Sequence, residues 1–189
     1  MLAMSEPAKK RATYEDLLAV PDHKVAELLN GELVISPRPA SLHARAESTL
    51  GIELSGPFDL GRNGPGGWII LDEPELHFRE DVLVPDVAGW LRTRMPELLD
   101  TPAFELAPDW LCEVLSSSTE ARDRADKLPI YAREHVTHVW FVDPHARTLE
   151  VLRLDGATFR VIATWRDEAK LRAEPFEAIE LELAVLWRL

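Results

Sequence analysis

The sequence predicts a mixed α/β (α+β) fold: a central mixed sheet flanked by a few helices, with a β-hairpin near its start. Three observations carry this. Seven strand-like runs follow Trp68, and only one helical pattern falls among them. An Asn-Gly pair sits between two apolar runs, the strongest short-range hairpin signal. A 14-residue stretch from Ser41 to Leu54 repeats its apolar residues at helical spacing.

Along the chain, residues 1–12 read as a loose tail and residues 13–189 as one domain, a size that suits a chain of 189 residues. Thr13 is an N-cap candidate for a short helix, with Asp16 in its first turn, and Pro21 ends it. In Val25–Ile35 a type I′ turn at Asn30-Gly31 opposes Leu29 to Glu32 and Glu27 to Val34. Alternation then puts Glu27, Leu29, Glu32 and Val34 on one face and Leu28, Leu33 and Ile35 on the other. Ser36-Pro-Arg-Pro-Ala40 breaks the chain, and Ser41 is positioned to cap the helix that runs to Leu54. The glycine-rich loop 61–67 lacks the Lys-Ser/Thr ending of a phosphate loop. The strands expected next are Trp68–Leu71, Glu75–Phe78, Asp86–Leu91, Trp110–Leu115, His138–Asp143, Thr148–Leu154 and Thr158–Thr164. A helix over about Thr119–His135 precedes the fifth of these; Pro129 is tolerable there if the regular helix begins only near Ala125. Ile179–Leu189 is apolar on several sides and should dock on the core.

Composition limits the function classes. There are 21 Lys and Arg against 33 Asp and Glu, a formal net charge of −12. That balance argues against coating DNA or an anionic membrane through bulk charge. A single cysteine, Cys112, excludes an internal disulfide and a cysteine-based zinc site, and it reads as a small core residue. No apolar run approaches the ~20 residues of a membrane helix, and the N-terminus lacks a signal-peptide core, so a cytoplasmic protein without membrane partners is expected. The six histidines form no His-Glu-x-x-His pattern, and Ser116–Thr119 reads as capping and turn chemistry. Trp110 and Trp140 read as core within apolar strands.

Three positions stand out together. Pro85-Asp86 opens a strand, Glu113 lies inside an apolar strand between Leu111 and Leu115, and Lys127 lies on the following helix. A carboxylate there costs several kcal/mol unless it is paired or bound to a cation. The local sequence leaves both readings open: a structural ion pair, or an active site. Asp123 and Lys127 are likewise readable as an i, i+4 helix pair. His43 and Glu47 share that spacing and could line a cleft, with capping or surface exposure as the plainer reading of His43. Two carboxylates and a lysine are what metal-dependent phosphodiester hydrolysis uses, because Mg²⁺ takes hard oxygen ligands and a nearby ammonium can handle water or stabilise charge.

In this order the motifs resemble the Uma-type restriction endonuclease family of the PD-(D/E)XK nuclease superfamily. The matching pieces are Glu27-Leu-Leu-Asn-Gly-Glu32-Leu-Val, Ser36-Pro with Ser41 and His43, Glu73-Pro-Glu75-Leu, Pro85-Asp86-Val, Pro108–Thr119 around Glu113, Asp123–Lys127 with Tyr131-Ala-Arg, and Trp140-Phe-Val-Asp143-Pro. The resemblance implies a restriction-endonuclease-like core and a Mg²⁺- or Mn²⁺-dependent endonuclease acting on DNA, with RNA as the alternative substrate, as a homodimer. It assigns Asp86, Glu113 and the Val114 backbone carbonyl as metal ligands. Leu115 stands where the superfamily has its lysine, so Lys127 is its replacement. Glu32, less readily Glu27, supplies a further acid. Arg122 and Arg124 flank the proposed site as candidate phosphate contacts. The rival reading is a non-catalytic module that keeps the fold and binds a protein or nucleic-acid partner, motivated by Leu115 and the acidic surface.

The acidity is not uniform. Residues 72–113 hold eleven acids and three bases, a net of −8, while residues 114–133 hold three acids and four bases, a net of +1. Negative charge is concentrated where a cation would sit, beside a locally basic helix.

Overall fold

A computed structural model describes residues 11–188 of the chain. The elements run α1 (Tyr14–Leu18), β1 (Lys24–Leu29), β2 (Glu32–Pro37), α2 (Ser41–Leu54), β3 (Trp68–Asp72), β4 (Leu76–Phe78), β5 (Asp81–Leu83), β6 (Val87–Leu91) and β7 (Trp110–Val114). They continue with α3 (Glu120–Arg122), α4 (Leu128–Arg133), β8 (His138–Asp143), β9 (Thr148–Asp155), β10 (Thr158–Arg166), β11 (Lys170–Leu171), β12 (Leu181–Glu182) and α5 (Ala184–Trp187). Residues 1–10 of the expected tail lie outside the described residues. Arg11 and Ala12 are tied down: Ala12 donates its amide to Gly31, and Arg11 pairs with Glu80.

Six strands in the order β10-β9-β8-β7-β6-β3 form the main sheet. Only β7 and β8 run parallel, so the sheet is mixed, as expected. Those two strands are apolar on both sides because both faces of the sheet are covered. On one face Trp110, Cys112 and Val114 meet α2 and the C-terminal segment. Phe176 sits there among Phe58, Trp68, Trp110 and Trp140. On the other face Leu111 and Leu115 meet α4 and the second sheet. Cys112 and Glu113 thus point to opposite faces, as strand alternation requires.

The second sheet has the order β2-β1-β5-β4. Its hairpin has the expected register, Leu29 opposite Glu32 and Glu27 opposite Val34, and Asn30 and Gly31 both take positive φ. Strand β5 escapes sequence reading because it is only three residues long. Asp81 ties it down by accepting from the Asn30 amide at 2.6 Å and from Arg133 at 2.9 Å.

Thr13 caps α1 in a reciprocal capping box with Asp16. Ser41 is not a cap: it is the first residue of α2, and Ala40 takes the cap position without a side-chain bond. Ala46, Leu50 and Leu54 are fully buried and anchor α2. The C-terminal segment docks on the core as expected, with Leu183, Leu186 and Trp187 beneath α2.

The helical stretch after β7 departs from expectation. It runs through α3, one π-helical turn at Asp123–Lys127, and α4, so regular α-helix resumes only at Leu128. Pro129 supplies the reason. It has no amide to donate, and its ring would crowd the carbonyl four residues back. The wider turn just before it removes that conflict.

Candidate active-site cleft

One cleft of about 260 Å³ lies where the C-terminal end of β7, the start of β6, the hairpin and α2 meet. Glu27, His43, Asp86, Glu113, Val114, Arg122, Asp123 and Lys127 all line it. These side chains form two groups.

The inner group is centred on Lys127. Its ammonium lies 2.9 Å from Glu27, 3.2 Å from both oxygens of Glu113 and 3.4 Å from Asp123. Tyr131 donates its hydroxyl to Glu113 Oε1 at 2.5 Å. The local sequence makes this possible. The π turn keeps Asp123 and Lys127 on one side, and Tyr131 follows four residues later on the same helical face. Glu27 also accepts the Val84 amide at 3.0 Å. Every charged member is at most 4% exposed. Burial pushes the Glu113 carboxyl well above its ordinary range, and Lys127 counters only part of that. Burial pushes Asp123 up as well. For Lys127, burial alone would lower the pKa, but Glu113, Glu27 and Asp123 together hold it well above normal. Lys127 is therefore a fixed cation and hydrogen-bond donor, able to orient water or neutralise phosphate charge but not to accept a proton.

The outer group is centred on His43. Its Nε2 lies 2.8 Å from Asp86 Oδ1 and 3.9 Å from Glu47 Oε2. Asp86 Oδ2 accepts the Val114 amide at 2.6 Å, which fixes the carboxylate at the mouth of the strand pair. These side chains remain 12–14% exposed. Burial and the neighbouring Asp86 push the Glu47 carboxyl up to about 7. Burial opposes the charge on His43, but the hydrogen bond and charge of Asp86, together with Glu47 and Asp123, outweigh it and raise the imidazole pKa.

Two expected positions need correction. Glu32 is exposed near the hairpin turn and does not line the cleft; its face-mate Glu27, further along the hairpin from the turn, reaches Lys127 instead. The cause is register: Glu32 opposes Leu29 at the turn end, two residues beyond Glu27. Arg124 is not a free phosphate contact. It pairs with Glu150 at 2.8 Å and Glu120 at 3.0 Å and stacks over Phe141, outside the cleft. Arg122 lies in the cleft, 3.3 Å from Ser36 Oγ. Leu115 is 3% exposed, packs in the core and contributes an apolar side chain to the cleft lining. His43, whose plainer reading was a cap or a surface residue, is the centre of the outer group. Tyr131 was missed, although its i+4 spacing from Lys127 was a usable signal.

Two comparisons bear on this arrangement. The Uma2 family model, described as "Putative restriction endonuclease", matches residues 11–186. The crystal structure of a "putative nuclease belonging to DUF820" from Anabaena variabilis superposes with a TM-score of 0.73, at 20% identity, covering 93% of this chain and 97% of that one. At that identity the likeness speaks to fold. No curated protein matches the chain.

Proposed function

The chain belongs to the Uma2 family of putative restriction endonucleases, and from that premise we propose that it hydrolyses phosphodiester bonds in DNA with the help of a divalent cation. One observation carries the reading. Glu27, Asp86, Glu113 and Asp123 line a single cleft, Glu47 lies 3.9 Å from the cleft residue His43, and the one buried cation among these side chains is Lys127. That surplus of hard oxygen donors fits Mg²⁺ or Mn²⁺. A bound ion of this kind supplies Lewis acidity toward a phosphate oxygen and a more acidic water.

Asp86 is the residue best disposed to hold the cation, since it is partly exposed and already oriented by the Val114 amide. Lys127, whose ammonium is engaged by Glu27, Glu113 and Asp123, contributes its positive charge to the cleft and donates to the attacking water or to a phosphate oxygen on exchanging one of these partners. Glu113 fits the ligand role given by the family resemblance less well, because Lys127 and Tyr131 already occupy its oxygens. In this reading it positions Lys127, and the Val114 carbonyl is not required. Arg122, at the rim, meets the substrate phosphate.

Plasmid DNA incubated with the protein and Mg²⁺ or Mn²⁺ should be nicked or cut, and EDTA or Asp86→Ala should abolish this. Wild-type protein that leaves varied DNA substrates intact with both ions overturns the proposal. The occupied oxygens of Glu113 favour a second reading, a non-catalytic module with this fold. It fails if Lys127→Ala removes cleavage from a protein that still folds.

A further inference from the structure

The outer group has a composition that the inner one lacks: an imidazole beside two carboxylates. We propose that His43, Glu47 and Asp86 form the cation site of this protein, and that the site prefers a divalent first-row transition ion such as Mn²⁺ over Mg²⁺. The inference deepens the nuclease reading, from which it takes only that Asp86 holds a cation.

Geometry is the first support. One ligand atom from each of the three residues lies within 4.8 Å of the others. Ligands at about 2.1 Å from an ion stand about 3 Å apart when adjacent and about 4 Å apart when opposite. The His43–Asp86 separation of 2.8 Å and the His43–Glu47 separation of 3.9 Å fall at those values. An ion between Nε2 and Oδ1 takes the place of the proton of the present hydrogen bond, which is released to water, and needs only a small widening of that contact.

Preorganisation is the second. His43 and Glu47 are four residues apart on α2, so they face the same way. The helix is held by Ala46, Leu50 and Leu54, all at 0% exposure. Asp86 presents Oδ1 because the Val114 amide takes Oδ2. Supporting hydrogen bonds of this kind orient ligands in metal sites.

The state of Glu113 is the third. A cation bound there has to displace Lys127 from both oxygens and Tyr131 from one, deep in the protein. Breaking a buried pair of that kind is strongly unfavourable. At the outer carboxylates an ion has only the hydrogen bond between His43 and Asp86 to replace, at side chains that are 12–14% exposed. Ion preference then follows from the imidazole, which suits transition ions and is a poor ligand for Mg²⁺.

The test uses the full chain, stripped with EDTA and titrated with Mn²⁺ by electron paramagnetic resonance. One ion should bind per chain, and pulsed measurements should show nitrogen modulation from a bound imidazole that is absent in His43→Ala. Glu47→Gln should weaken Mn²⁺ binding about tenfold or more, the range seen when metal sites lose supporting groups. Glu113→Gln, which makes the same chemical change, should alter it less than about threefold, and Mg²⁺ should displace Mn²⁺ only in large excess. The inference is overturned if the wild-type spectrum lacks nitrogen modulation, or if Glu113→Gln costs as much affinity as Glu47→Gln. The first result needs no variant to fold. DNA cleavage separates the two claims. Mn²⁺ binding with these losses in a protein that cuts no DNA retains the site and removes the nuclease reading. Cleavage by a protein whose Mn²⁺ affinity ignores His43 and Glu47 does the reverse.

Discussion

The inner and outer groups of the cleft are built from similar residues and behave differently. Around Lys127 three carboxylates are sealed at no more than 4% exposure, and an ammonium and a phenol serve them. Around His43 two carboxylates stand at 12–14% exposure with one imidazole between them. Desolvation explains the difference. Deep burial makes every unpaired charge costly, so the inner group has collected its own cation and cannot easily release it. Near the mouth, water still shares the load, and negative charge can remain for a ligand to neutralise. The lesson is that deep burial commits a carboxylate to a partner from its own chain, whereas a carboxylate near the mouth can stay less fully paired.

Removing the centre of the inner group should have the largest effect. Lys127→Met leaves three buried carboxylates without a cation and should destabilise the protein by about 3–5 kcal/mol in urea unfolding. A loss below about 1 kcal/mol shows that the inner group is wetter than described. Tyr131→Phe comes next: a buried hydrogen bond to a charged acceptor is lost, worth about 1.5–3 kcal/mol.

The outer group should respond with the opposite sign. In metal-free protein, Glu47→Gln removes a carboxylate that stands near Asp86, so stability at pH 8 should stay level or rise. The sign follows from linkage. The folded pKa of Glu47 is raised from 4.5 to about 7, so its contribution is intact below pH 4.5 and is lost as pH rises through about 7. Glu47→Gln should therefore flatten the pH dependence of stability across that window, and an unchanged slope contradicts the electrostatic contrast between the groups. Smallest of all, Arg124→Ala should cost at most about 1 kcal/mol, because its ion pairs are partly exposed. DNA cleavage should survive Arg124→Ala, whereas Arg122→Ala should weaken DNA binding and flatten its salt dependence.

Much of the fold was legible. Periodicity located α2 and the main-sheet strands, and Asn30-Gly31 set the hairpin register with Glu27 and Glu32 on one face. What alternation does not specify is depth along that face, and depth separates Glu27 in the cleft from Glu32 at the turn. Asp81–Leu83 was too short to show a period. The π turn was invisible because it answers a conflict between Pro129 and the surrounding helix, not a residue preference at Asp123–Lys127.

By itself the sequence determined the mixed sheet, the placement of Glu113 between two leucines on one face, and the chemical kinds of residue in the cleft. Those follow from period, turn chemistry and composition, all local properties. Only the tertiary structure decided the partners: that Glu113 belongs to Lys127 and Tyr131, that Arg124 is committed to Glu150, and that His43 joins Glu47 and Asp86. A charge chooses its partner by distance and burial, and both are fixed only when β7, α2 and the helix after β7 pack together.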